Sequence, residues 1–190
     1  MEEFKPAANK YLDISDYFKE AVNHVDDMLD ESDAEEILQN SRARLLHLTA
    51  EYKALAALCL RASQDREYNE KIKALGQEVI SLLKEAITIL KNYFQTGSQI
   101  YKEDVLRITF DTLLLAITEG MLGKVVMDPT EFLLDGLEDK ELIQRLKDSP
   151  YYRVANRIMK VGIKESLEKL KQTRLGHLNK VKNLLVPHFL

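Results

Sequence analysis

Apolar residues recur every three or four positions along most of the chain, which is the spacing of amphipathic α-helices. The first such stretch runs from about Asn9 to Glu31, and acidic side chains occupy its opposite face. The pattern therefore predicts a long first helix with one buried stripe. The residues of that stripe are Tyr11, Ile14, Phe18, Ala21, Val22, Val25, Met28 and Leu29.

Two more long helices are predicted, at about residues 33–63 and 67–95. The connection between the first two helices is so short that they should form an antiparallel hairpin. In the second helix, the predicted buried stripe is Ile37, Leu38, Leu45, Leu48, Tyr52, Leu55, Ala56 and Cys59.

A fourth helix, at about residues 102–122, is apolar on nearly every side. Its polar residues Arg107, Asp111 and Thr118 share one narrow stripe. A helix that is apolar all round is buried on all sides, so we expect this helix to be central.

Two short helices follow, at about residues 129–135 and 138–147, and a last helix begins at Ser149-Pro150 and could run to Leu185. Pro is favoured in the first turn of a helix, and Ser is favoured at the N-cap. After Gly162, the apolar face of this last helix is rotated by more than a quarter turn. We therefore expect a kink near Gly162, or two halves that pack against different neighbours.

These elements define the fold class. The chain has only 4 Pro and 7 Gly, and no sustained alternation of apolar and polar residues indicates a strand. Hydrophobic residues make up 45% of the chain and charged residues 31%, which is typical of a globular protein. We predict an all-α protein: a single antiparallel helical bundle of about six or seven helices with an apolar central fourth helix. Residues 1–190 would form one domain.

Several absences bear on the compartment. Cys59 is the one cysteine, so no disulfide can form within the chain. The first residues lack the basic-then-apolar order of a signal peptide, and no apolar run is long enough to cross a membrane. We therefore predict a cytoplasmic protein without a transmembrane segment.

Charge is distributed unevenly along the chain. Residues 1–36 hold 12 acids and 3 bases, whereas residues 151–190 hold 2 acids and 9 bases. In the last predicted helix, a basic stripe occupies one narrow sector opposite the first apolar face. Its residues are Arg153, Arg157, Lys160, Lys164 and Lys171.

The basic stripe predicts a partner- or anion-binding face, for an acidic protein or an anionic lipid surface. Nucleic acid is the least favoured partner, because the net charge is −4, Trp is absent, and no helix-turn-helix or zinc-knuckle pattern is present. The alternative is a solvated face, or one that lies beside the acidic first helix.

Candidate metal ligands form two pairs at helical spacing. Glu20 and His24 lie four residues apart on the first helix, and His47 and Glu51 lie four apart on the second. Such pairs could supply two ligands each, although the Glu-x-x-His pairs of di-iron bundles are missing. The hairpin would also place His24 level with about Asn40 rather than His47. We therefore predict no metal and no cofactor, and four ordinary polar residues.

No catalytic motif is present, which leaves an enzyme open but favours a non-enzymatic role. The first hypothesis is a protein-protein interaction module, such as an adaptor, scaffold or regulatory bundle. The alternative is a carrier or sensor of an apolar or lipid ligand, with a pocket beside the fourth helix, which docks on anionic membranes through the basic C-terminal helix. A bundle that binds metal through its carboxylate and histidine side chains is the third hypothesis.

Overall fold

The computed structural model describes residues 4–29, 35–96, 100–123 and 127–166. Every regular element in these ranges is helical, which confirms the all-α fold class. The sequence predicts a capping box at Ser32-Asp33-Ala34-Glu35 before the second helix and an end of the third helix at Gly97, and both lie at least partly outside these ranges. The helices are α1 (Phe4–Leu29), α2 (Glu35–Ala62), a 3-10 turn (Arg66–Tyr68), α3 (Asn69–Gln95), α4 (Lys102–Leu122), α5 (Pro129–Leu134), α6 (Lys140–Asp148) and α7 (Pro150–Val161).

The chain divides into two compact units, residues 1–104 and 105–190, and the boundary falls in the first turn of α4. The single domain over residues 1–190 stays a prediction.

In the first unit, α1, α2 and α3 run alternately up and down. The Ser15 hydroxyl donates a hydrogen bond to the Thr49 carbonyl at 3.2 Å, and Val22 packs near Leu46 and Ala86. Towards the other end of α1, Arg42 of α2 binds Asp26 and also Glu85 of α3. Partners on α1 and α2 thus approach each other in opposite chain directions, which confirms the predicted antiparallel hairpin.

The buried line of α1 differs from the predicted stripe. The fully or nearly buried residues are Ala8, Ser15 and Val22, which lie seven residues apart. On α2, the alanines 43, 50 and 57 have the same spacing and are fully buried. Ser15 contacts α2 directly, because its hydroxyl reaches the Thr49 carbonyl, whereas the large side chains of Tyr17 and Met28 on α1 remain exposed.

The predicted stripe of α2 is confirmed at Leu38, Ala56 and Cys59, which are buried, and is wrong at Ile37. Ile37 is 72% exposed, and Leu48 and Tyr52 are only half-buried. From Ala54 to Leu60, nearly every residue of α2 is buried, so this helix is covered on most sides. Several of these buried residues are alanines, whose small side chains contribute little to a hydrophobic stripe in the sequence.

The fourth helix is buried on all sides, as its composition predicts. Residues Ile108 to Glu119 are all buried, and Leu113 and Leu115 are fully enclosed. The hydroxyls of Thr112 and Thr118 donate to backbone carbonyls four residues earlier at 2.8 Å. Such bonds let threonine lie in an apolar environment, because the buried hydroxyl keeps a partner.

In the second unit, α7 runs parallel to α4. Thr109 contacts Ser149 at 2.7 Å between hydroxyls, and the rings of Phe110 and Tyr151 meet edge to face with centroids 5.2 Å apart. Further along, a Cβ atom at Gly120 would lie 2.7 Å from Ile163 Cδ1. Along the chain, the short helices α5 and α6 connect α4 to α7. Helix α7 contacts both α5 and α6.

Candidate partner-binding surface

The basic face of α7 is set up by the helix start. Pro150 occupies the first turn as predicted, but the Ser149 side chain makes no capping hydrogen bond. Its hydroxyl bonds Thr109 on α4 instead, so Ser149 ties the start of α7 to α4. Burial of the opposite face then determines which side of α7 is exposed. The buried residues are Tyr152, Val154, Ala155 and Ile158.

Arg153, Arg157 and Lys160 are all exposed and follow one another at four- and three-residue steps. They therefore share one face of α7, as the sequence predicts. Lys164 is also exposed but lies beyond Val161, where α7 ends. Lys171 lies outside the described residues.

The end of α7 at Gly162 confirms the predicted break. Gly162 has φ +87° and ψ 167°, a conformation that is essentially restricted to glycine. Its N–H donates to the Ile158 carbonyl, and its own carbonyl accepts from the Ser166 N–H and hydroxyl. Gly162 thus ends one helix and caps the next turn, so Lys164 does not continue the straight line of α7.

Among the described residues, few acidic side chains neutralise the basic residues on this face of α7. Arg153 forms an ion pair with Asp148 at 3.3 Å, and both side chains are more than half exposed. Exposed pairs of this kind contribute only about 0–1 kcal/mol. Within the described ranges, no ion pair joins Arg157, Lys160 or Lys164 to an acidic residue. Val161, 43% exposed, lies four residues after Arg157 and adds apolar surface.

The four candidate metal ligands are not brought together. Glu20 and His24 are exposed on α1, whereas His47 pairs with Glu51 on α2 at 3.5 Å. The ion pair between Asp26 and Arg42 places His24 opposite about Arg44, which is closer to His47 than the predicted Asn40. Among the described residues, no three potential ligands cluster in a way that could hold a metal ion.

The apolar-ligand hypothesis requires a cavity beside α4. Two surface grooves lie in the first unit, one between the start of α2 and the end of α3, the other beside Lys5 and Tyr68. Neither of them is lined by α4, so neither supports the hypothesis, which stays a prediction. Cys59 is buried as its position on α2 predicts, and this burial raises the pKa of its thiol.

Sequence reasoning missed the outer surface of α1. Tyr17 is 70% exposed and Met28 is 54% exposed, although Met28 was assigned to the core. The signal that could have revealed this is the line of small residues at positions 8 and 15, which marks the true contact with α2. In the described parts of the chain, no helix is long and apolar enough to cross a membrane.

The chain was compared with protein-family models, with curated proteins and with solved structures, and none of the three comparisons returned a significant match.

Proposed function

We propose that this protein is a non-enzymatic interaction module, an adaptor or regulatory bundle, that binds an acidic segment of a partner protein through the basic face of α7. The observation that carries the proposal is the exposed set Arg157, Lys160 and Lys164, for which the described residues supply no acidic partner. Charged groups left unneutralised on a folded surface attract a complementary surface and accelerate its association.

The rest of α7 supports a preformed surface. The opposite face of α7 is buried, and Ser149 ties the start of the helix to α4. A face held in place by packing loses little conformational freedom on binding, which favours affinity.

The test is quantitative affinity purification of the tagged full-length chain, followed by mass spectrometry. Arg157→Glu with Lys160→Glu should reduce recovery of an acidic partner by roughly tenfold, since attraction is replaced by repulsion. The matched control is Lys71→Glu with Lys73→Glu, which makes the same net change at exposed positions of α3. Equal recovery with both variants and with the wild type would contradict the proposal.

An anionic membrane is the second candidate partner, favoured by the exposed Val161 beside the basic residues. A basic face with an apolar residue is typical of helices that lie on lipid surfaces. Liposome sedimentation with and without anionic lipid tests it. Binding that requires anionic lipid and is lost in the Arg157→Glu and Lys160→Glu variant would favour the membrane.

A further inference from the structure

Helix α1 carries a second line of residues on its outer side. We call Ile14, Tyr17, Ala21, His24 and Met28 the outer seam. They alternate at three- and four-residue steps, the spacing of the contact line in a coiled coil. Tyr17, Met28 and Ile14 are 70%, 54% and 38% exposed. The seam extends over roughly 21 Å of helix, enough for two heptads of a second helix.

Aromatic packing holds the seam in place. Phe18 of α1 stacks on Tyr52 of α2 with centroids 5.7 Å apart and planes 20° apart. The Tyr17 ring meets Phe18 edge to face at 5.8 Å, and Tyr11 lies 6.1 Å from Tyr52. Tyr17 is thus supported from below while most of its surface faces solvent. A fixed and exposed aromatic ring is the kind of side chain that dominates binding at protein interfaces.

An acidic row borders the outer seam. Asp13, Glu20 and Asp27 lie seven residues apart, all exposed, and each occupies the position just before a seam residue. In a coiled coil this is a flanking position, whose charge selects the partner helix. No ion pair joins these three carboxylates to a basic residue in the described ranges of the chain.

We propose that the outer seam of α1 binds a basic amphipathic helix of another protein. The apolar line of that helix would cover Tyr17 and Met28, and its flanking lysines or arginines would face the acidic row. A second copy packed antiparallel would bring two acidic rows together, which Coulomb repulsion disfavours. An anionic membrane is repelled for the same reason. This surface differs in place and in charge from the basic face of α7, so the protein carries two docking surfaces of opposite charge.

The experiment uses the full chain and a fluorescent synthetic peptide of about three heptads, with Leu at the seam positions and Lys at the flanking positions. Fluorescence anisotropy should show binding that weakens roughly tenfold with Asp13→Lys plus Glu20→Lys. Tyr17→Ser plus Met28→Ser should weaken it by a similar factor, because the apolar contact is lost. A peptide with Glu in place of Lys should bind far more weakly.

The matched control is Asp135→Lys plus Glu138→Lys, which makes the same net charge change at exposed positions of the second unit. Equal weakening by this control would mean non-specific attraction and would overturn the proposal. Sedimentation velocity provides an independent arm: dimers of the free chain that vanish with Tyr17→Ser would assign the seam to a second copy instead. Circular dichroism identifies variants that do not fold. If Tyr17→Ser plus Met28→Ser misfolds, Asp13→Lys plus Glu20→Lys still tests the proposal.

If the Arg157→Glu plus Lys160→Glu variant no longer bound the peptide, the proposal that the outer seam and the basic face of α7 are separate docking surfaces would also be contradicted. Unchanged binding in that variant supports them. The outcome for the seam is therefore independent of the outcome for the basic face of α7.

Discussion

Helix α2 in the first unit and helix α4 in the second are both largely buried, but alanines are frequent among the buried residues of α2 and large side chains among those of α4. In the first unit, Ser15 reaches the backbone of α2, and α2 carries fully buried alanines at heptad spacing, such as Ala50. In the second unit, α4 is enclosed through large side chains such as Leu113. A contact of small residues depends on the closeness of two backbones, whereas a contact of large residues depends on filled volume. The buried alanine positions of α2 and the buried leucine positions of α4 should therefore be sensitive to opposite kinds of substitution.

The largest effect is expected from Leu113→Ala in α4. Removing a fully buried leucine side chain leaves a cavity and should lower the free energy of unfolding by about 2–5 kcal/mol. Urea denaturation followed by circular dichroism measures it. Val161→Ala is the control, since a change at an exposed position should stay within about 0.5 kcal/mol. Equal effects at the two positions would mean that α4 is not tightly packed.

In the first unit, Ala50→Leu is the opposite change. Leucine adds three carbon atoms to the alanine side chain, and these cannot fit where Ala50 is fully buried, so overpacking should cost about 1–3 kcal/mol. Ala74→Leu makes the same substitution at an exposed position of α3 and should be nearly neutral. If Ala50→Leu is tolerated as well as Ala74→Leu, the surroundings of Ala50 are not closely packed.

Cys59 can report whether the units unfold together. Its thiol is buried in the first unit, and this burial raises its pKa, so it should react slowly with a disulfide reagent until it is exposed. Ala50→Leu should accelerate labelling under native conditions, because opening becomes more frequent. If residues 1–190 form one cooperative domain, Leu113→Ala should also accelerate the labelling of Cys59. If the two units unfold independently, Leu113→Ala should leave the labelling rate unchanged.

Gly162→Ala tests the end of α7. Alanine adopts φ near +87° only with strain, so we expect a loss of about 1–3 kcal/mol in the free energy of unfolding. Thermal unfolding monitors the loss, with Glu165→Ala in the following turn as control. A neutral result would show that the break at Gly162 relaxes without cost.

The smallest difference concerns two arginines. Arg42 is half-buried and binds carboxylates on both neighbouring helices, Asp26 on α1 and Glu85 on α3. Burial alone would lower the pKa of Arg42, but the hydrogen bonds to these two carboxylates raise it. Arg42→Met should cost about 1–2 kcal/mol, because charge-assisted bonds that join three helices are lost. Arg153→Met should change stability by less than about 0.5 kcal/mol, since its ion pair is exposed. Urea denaturation measures both losses, and equal losses for Arg42→Met and Arg153→Met would contradict the expected difference between the buried and the exposed ion pair.

Much of the fold could be predicted, and the failures have physical causes. The burial of α4 followed from its apolar residues on every side, and the break at Gly162 followed from the shift of the apolar face. The stripes of α1 and α2 were only partly right, because large apolar residues such as Met28 and Ile37 were weighted above small ones. Hydrophobicity scales favour Met28 over Ala8, but the close contact between backbones favours Ala8. The role of Ser149 was missed because its hydroxyl prefers a neighbour on α4 that no local rule identifies.

By itself, the sequence determined which segments are helical, because helical periodicity and helix-start residues are local properties. It also determined that a basic face would form on α7, since burial of one side of an amphipathic helix exposes the other. Only the tertiary structure decided which side of α1 is buried, because that choice depends on the shape of α2. It also decided that Tyr17 and Met28 remain exposed along the outer seam, since a single helix carries two apolar lines and only packing can select between them.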